Sequence, residues 1–250
     1  MVASLREPWN PLGLRPALRR FRALRAARDA AVEVKLAAKR LRQKAHIAAY
    51  LRQHQLRCLQ IGAGPTRVTG WLCTDLRPRQ RGAVYLDATQ PFPIPGASFD
   101  FVDSEHMIEH ISFAEGLAML RECHRILKPG GRVRIATPDL GRLLRTYGGE
   151  NEGIAQRYLE WIARSFLSGP EHATPVFVIN NAFRNWGHQF LYDEETLRGA
   201  LLAAGFADVR RYAPGESGNQ VFRDLERHGH NIGDEEINQF ETMVLEAERP

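Results

Sequence analysis

Between Arg57 and Leu140 the chain carries side chains whose types and order can do chemistry. An apolar run, Cys58 to Ile61, ends in Gly62-Ala63-Gly64; glycines there let the backbone approach a ligand closely, because no Cβ blocks it. A second run ends at Asp75, where a carboxylate is placed to accept hydrogen bonds from a ribose diol. Capping the turn Leu76-Arg77-Pro78 is the plainer reading of that residue. A third run ends at Asp87 and a fourth at Ser104-Glu105-His106. Ligands of open α/β sheets gather at such strand ends, so these three residues are expected to face a cofactor or an acceptor. Glu109 and His110 follow and read equally as site, solvated or capping residues. Farther on, Thr174 to His188 sets Asn180, Asn181, Arg184, Asn185, Trp186 and His188 in one stretch. Its amides, flat indole and imidazole suit a lid over a hydroxylated small molecule, with Gly187 allowing a tight turn; a capped surface loop is the alternative.

The elements that must position these residues can be read from periodicity. Strands are predicted at 58–61, 71–74, 83–86, 99–103 and 132–137, the first buried on both faces as central parallel strands are. Leu117, Leu120, Cys123 and Leu127 repeat at helical spacing over 113–127, and Lys128-Pro129-Gly130-Gly131 stops that helix. Too few residues separate Gly64 from Asp75 for a full helical crossover, so the first helix is predicted to be vestigial. Residues 141–170 are helical in pattern. Asp193 is the predicted N-cap of a helix that ends at Gly205, and the last strands are expected at 207–212 and 241–248.

In this order the glycine pair, Asp75, Asp87 and the closing LRECHRILKPGGRVRIATPDL resemble the class I S-adenosylmethionine-dependent methyltransferases, specifically the type-11 (UbiE-like) domains. The resemblance implies a Rossmann-like α/β fold over 54–250, with a mostly parallel seven-stranded sheet, an antiparallel last strand and an acceptor-side insertion at about 141–190. It implies S-adenosylmethionine as cofactor, held by Gly62, Ala63, Gly64, Asp75, Leu76, Asp87, Ala88, Ser104 and Glu105. Asp75 would take the ribose hydroxyls and Asp87 the adenine amino group. Two departures concern the methionine end: Gln60 stands where many members carry an acid, and the third glycine is missing. A nicotinamide enzyme would want G-x-G-x-x-G and an acid about 20 residues on.

Methyl transfer from a sulfonium needs alignment more than covalent help. A hydroxyl acceptor adds the need for a general base, worth about 10²–10⁴-fold, and His188 and His106 are the candidates because imidazole titrates near neutral pH. No D/N-P-P-Y or Pro-Cys motif of nucleic-acid base methylation occurs. The reading is therefore an enzyme, an O-methyltransferase of a small molecule, glycan or cell-envelope precursor. A non-catalytic cofactor-binding scaffold is the alternative, kept open by the shortened glycine motif.

With 250 residues, 44% hydrophobic and 25% charged, the chain is expected to be one globular domain with additions, or at most a domain and a half. Cys58, Cys73 and Cys123 stand far apart, which suits a reducing cytoplasm and argues against a disulfide framework or a cysteine-ligated iron–sulfur cluster. His228 and His230, with Asp224 and Asp234, match no standard ligand spacing, and no metal is expected. No run of about 18 apolar residues occurs, so no transmembrane helix is expected.

The net charge of +5 hides an asymmetry: residues 1–57 hold 14 Lys/Arg against 3 Asp/Glu, the rest 20 against 26. Residues 1–53 form the basic arm, with an irregular lead-in over 1–16 and a helix from Ala17 to about Gln53. Its mildly apolar stripe comprises Phe21, Leu24, Ala31, Val34, Ala38, Leu41, Ala45 and Ala48. Packing on its own domain or on a sister subunit is the adopted reading. Attachment to an anionic membrane surface, nucleic-acid contact and a transit peptide are the others. Nucleic acid is disfavoured by the scarcity of aromatic residues there.

Overall fold

A computed structural model describes residues 14–148 and 152–250. It divides into two compact units, Met1–Arg42 and Gln43–Pro250, so the division falls within the first helix, α1 (Leu14–Gln53), and not after it. Residues 1–13 of the expected lead-in lie outside the described residues, as do the side chains of Phe21, Leu24 and Ala31. Within the rest of the predicted stripe, Val34 and Leu41 are 70% and 86% exposed, and Ala38 and Ala45 are exposed too. The last turns of the helix, which belong to the second unit, bury Ile47 and Tyr50 instead. The Tyr50 hydroxyl accepts from the Cys58 amide at 2.9 Å and donates to the Gly70 carbonyl at 2.8 Å. A tyrosine and an isoleucine remove far more apolar surface from water than alanines do, which decides the face that docks.

The second unit is built on one sheet of β1 (Cys58–Ile61), β2 (Leu72–Asp75), β3 (Val84–Tyr85), β4 (Phe99–Glu105), β5 (Leu127–Pro138), β6 (Ala207–Tyr212) and β7 (Thr242–Glu248). The strand order is β3-β2-β1-β4-β5-β7-β6. Strand β7 runs antiparallel to both neighbours, while the pairings among β1 to β5 are parallel. The order reverses between β1 and β4, and the carboxyl ends of those two strands flank a crevice. Gly62 leaves one end and His106 the other.

Helices α2 (Phe113–Ile126) and α6 (Glu194–Ala203) cover one face of the sheet. Ser112 and Glu115 cap the start of α2 reciprocally, and Asp193 caps α6 by accepting from the Thr196 amide at 2.8 Å. Leu59, Ile61, Val102, Val133, Ile135 and Leu245 on this face belong to one core.

The other face is buried as well, but it is polar. Register aligns Gln60, Asp103, Arg134 and Glu246 in a row across four strands. No helix connects β1 to β2, as the short spacing predicts, and none connects β2 to β3. The segment between β6 and α7 (His228–Ile232) covers this row, with Phe222 edge-on to Phe101. Arg134, fully buried, donates to Glu226 and Glu246, each at 2.5 Å. Burial first, then the Glu226 and Glu105 carboxylates, push Asp103 well above the usual carboxyl range, with Arg134 offsetting part of this. The strand is therefore buried on both faces as expected, with a buried charge network on one of them.

A second, smaller core forms where α3 (Leu140–Tyr147), α4 (Glu152–Phe166), α5 (Pro175–Arg184) and α8 (Glu235–Glu241) meet. Leu143, Tyr158, Ile162, Val178, Ala182 and Phe240 fill it. The expected lid loop over 174–188 is thus mostly helix. Pro175 in the first turn is a helix-start signal, and burial of Val178 and Ala182 outweighs the local preferences of the amide residues.

Candidate active site

The β1 exit is a cradle of backbone held by Asp75. Gly62 and Gly64 have φ of +73° and +53°. A Cβ on Gly62 would lie 2.4 Å from Met107 Cγ, whereas one on Gly64 would meet nothing within 4 Å. The first glycine therefore makes room for Met107, and the second is the one open to a ligand. The Gly64 amide donates to Asp75 Oδ2 at 2.9 Å and the Arg77 amide to Oδ1 at 2.6 Å. Asp75 is thus a turn cap and also clasps the glycine loop; each of its oxygens keeps acceptor capacity for a diol. The Ala63 amide donates to the Thr74 carbonyl at 2.9 Å, tying the loop to β2. Asp87 Oδ1 accepts from the Thr89 amide and hydroxyl, at 3.0 and 2.7 Å, leaving Oδ2 for an amino group. Ala88 packs against the main core and Leu76 is half exposed. Near the carboxyl ends of β1 and β4, two buried atoms, Gln60 Oε1 and Ser104 Oγ, have no hydrogen-bond partner. Open space at Gly64, two strand-end carboxylates and these orphaned oxygens fit a nucleoside with a charged amino-acid tail.

Glu105 also has partners within the chain. Its carboxylate accepts from the backbone amides of Arg227 and His228, at 2.8 and 2.7 Å. Amides that must be satisfied where the 227–228 segment crosses the sheet have engaged it, and its oxygens keep further acceptor capacity.

Beyond β4 and β5 lies a cavity of about 270 Å³, lined by His106, Glu109, His110, Pro138, Trp161, Phe166, Trp186, His188, His228, Ile232 and Glu241. His106 and His188, distant in sequence, both line it. His106 Nε2 is 3.0 Å from Thr242 Oγ1 and its Nδ1 is 3.4 Å from Glu109 Oε1. The His228 ring stacks on it at 3.8 Å, itself held by Glu241 at 2.7 Å. Burial alone would lower the His106 pKa, but Glu109, with Glu241 and Glu105, raises it overall. His188 Nδ1 lies 2.7 Å from the Ala182 carbonyl, and a carbonyl can only accept, so Nδ1 carries the proton and Nε2 is left with its lone pair. Burial holds His188 below the usual imidazole range. His106 and Trp186 are two of the five described non-glycine residues with positive φ, at +45° and +57°. Strain of this kind is held in place by the surrounding structure and concentrates at functional sites.

Asn181 does not line this cavity. It is buried within α5, where its Oδ1 accepts from the Asn185 amide group, so its role is to close the helix end. Glu109 and His110, which the sequence left open between site, solvated and capping roles, line the cavity, as do His228 and Glu241, which it did not place there. The spacing His106-x-x-Glu109-His110 is a signal for the first two. Nothing in the sequence brings His228 and Glu241 to the β4 exit; the cover over the polar sheet face does.

A seven-stranded sheet in this order with one antiparallel strand, a glycine cradle at the β1 exit and carboxylates ending β2 and β3 define a class I S-adenosylmethionine-dependent methyltransferase. A family model described as a methyltransferase domain matches residues 26–211. The chain belongs to that family, and its cofactor is S-adenosylmethionine. No curated protein matches the chain. Among solved structures it is similar to a SAM-dependent methyltransferase from Archaeoglobus fulgidus, at 17% identity and TM-score 0.45, over 82% of this chain and 92% of that one. It is also similar to a complex of the Haloferax volcanii Trm112 methyltransferase activator and a putative methyltransferase, at 14% identity and TM-score 0.47, over 88% and 96%. A third is a possible histamine N-methyltransferase from Thermotoga maritima, at 16% identity and TM-score 0.44, over 87% and 94%.

Proposed function

We propose that the protein methylates a hydroxyl of a small molecule or glycan, such as a cell-envelope precursor, bound in the cavity beyond β4 and β5. The observation that carries this reading is the convergence of His106 and His188 on one cavity beside the cofactor cradle. Bound S-adenosylmethionine supplies a methyl group on an activated sulfonium. Gly64, Asp75 and Asp87 hold its nucleoside end, and Gln60 and Ser104 offer acceptors to its charged tail. Trp161 and Trp186 give the acceptor flat apolar walls of the kind that sugars and other ring compounds stack on. His188, with Nδ1–H fixed on the Ala182 carbonyl, takes the hydroxyl proton at Nε2. His106 lines the same cavity, with its ring nitrogens turned to Thr242 Oγ1 and Glu109 Oε1.

The basic arm is read as a packing or subunit-contact element with a solvated charged face, membrane contact being the alternative. Among the described residues no helix is long and apolar enough to cross a membrane. A radiolabelled methyl-transfer assay over a panel of glycans, lipid-linked precursors and small hydroxylated compounds tests the proposal. Labelled product sensitive to His188→Ala supports it. Transfer only to amines or carbon acids, or to no member of the panel, counts against it.

A further inference from the structure

We propose that Glu109, His110 and His188 form a binding site for a divalent transition ion of the zinc type inside the acceptor cavity. The inference rests on reading this cavity as the acceptor site. One ligand atom from each residue lies within 4.8 Å of the other two. Bonds of about 2.0–2.2 Å hold tetrahedral ligands roughly 3.4 Å apart, so side-chain movements of about an ångström close the set. Both histidines are only partly buried and have room to make them.

The charge distribution argues in the same direction. Glu109 is 0% exposed. Its Oε2 accepts from the Thr137 hydroxyl at 2.9 Å, while Oε1 has no hydrogen-bond partner. His106 Nδ1 stands 3.4 Å from Oε1, an ion pair when the ring is protonated. The cavity holds a second carboxylate, Glu241, and neither lysine nor arginine lines it. Each carboxylate already faces an imidazole, His106 and His228, but Glu109 Oε1 still lacks a hydrogen bond, which a cation would satisfy.

The supporting contacts are those of a metal site. Ligating histidines fix their free ring N–H on a carbonyl or carboxylate, as His188 does on Ala182 at 2.7 Å. Thr137 orients the Glu109 carboxylate in the same way. Two imidazoles and one carboxylate make a zinc-type donor set, whereas magnesium prefers oxygen ligands in a near-ideal octahedron. Three protein ligands leave a position for water or an acceptor oxygen. With His188 on the ion, the ion would take over its role by lowering the pKa of an acceptor hydroxyl bound at that open position.

The test uses the tag-free full chain, stripped with EDTA and titrated with Co²⁺ while visible absorption reports coordination. The expected result is one Co²⁺ per chain, displaced by Zn²⁺. His110→Ala and His188→Ala should each weaken binding by about 10- to 100-fold or more, with circular dichroism confirming that the variants are folded. His110 has no side-chain hydrogen bond among those described, so its variant keeps the test decisive if His188→Ala unfolds. A folded wild-type chain that binds no Co²⁺ at millimolar metal overturns the inference, as does wild-type affinity in the folded variants. Full-rate methylation in excess EDTA, with no metal retained, removes the ion and leaves the acceptor-site reading intact. Co²⁺ held through these ligands, together with an unchanged acceptor KM in Trp186→Ala, supports the ion and overturns the acceptor-site reading.

Discussion

Alanine at Gly62 and at Gly64 should fail in opposite ways. At Gly62, φ of +73° puts alanine in the left-handed region, a cost of about 1–2 kcal/mol. The new Cβ would also stand 2.4 Å from Met107 Cγ and 2.7 Å from Met107 Cβ. Rotation can move the first atom but not the second, so the backbone must shift, adding about 1–3 kcal/mol. A total of about 2–5 kcal/mol corresponds to a Tm lowered by roughly 4–20 °C for a chain of this size. At Gly64 the left-handed φ of +53° remains but nothing lies within 4 Å, so only the first cost of about 1–2 kcal/mol applies. That open space is where the cofactor approaches, and the added methyl should weaken its binding by about 10-fold or more. Thermal melts and calorimetry with S-adenosylhomocysteine read the two effects separately. Met107→Ala in the Gly62→Ala background should recover about 1–3 kcal/mol relative to additivity. Equal melting points for the two variants, or undiminished cofactor affinity in folded Gly64→Ala, would refute the assignment of Met107 to one glycine and the ligand to the other.

Other expectations are as definite. His188→Ala should leave cofactor affinity within about twofold and cut turnover by about 10²-fold or more; wild-type turnover in a folded variant removes it from the reaction. Asp103 should give stability a pH slope. An unfolded aspartate releases its proton near pH 3.9, whereas the buried Asp103 keeps it well above that. The folded state then holds a proton the unfolded state has lost, so stability falls as pH rises through that window. Asp103→Asn should remove the slope, and parallel urea-melt curves for the two proteins across this pH range would count against it. Any association of the arm with anionic vesicles should be salt-sensitive. It should weaken when Arg25, Arg28, Arg42 and Lys44 are changed to glutamine in the full-length chain, because truncation at Gln53 would strip Ile47 and Tyr50 from the core. Equal flotation at low salt would dismiss the membrane reading.

What the sequence determined by itself is local or close to it. Short apolar runs ending in Gly62, Asp75 and Asp87 are legible because a buried strand writes its apolar residues consecutively. The missing first crossover helix is legible because chain length limits what fits between Gly64 and Asp75. Asp193 as a helix cap is legible because capping joins residues three apart. Tertiary structure decided the rest, since burial and ion pairing depend on partners the chain brings from far away. The helix over 175–184 forms because Val178 and Ala182 have a core to enter, which no local preference records. Glu105 is engaged by amides from residues 227 and 228, and the last turns of α1 bury Tyr50 rather than the alanine stripe. His106 and His188 could be named from sequence as candidate bases. Only the packing of α5 and α8 beyond the sheet brings them into one cavity with Glu109, His110, His228 and Glu241. A side chain's chemistry is written in its residue type; its environment is set by the fold.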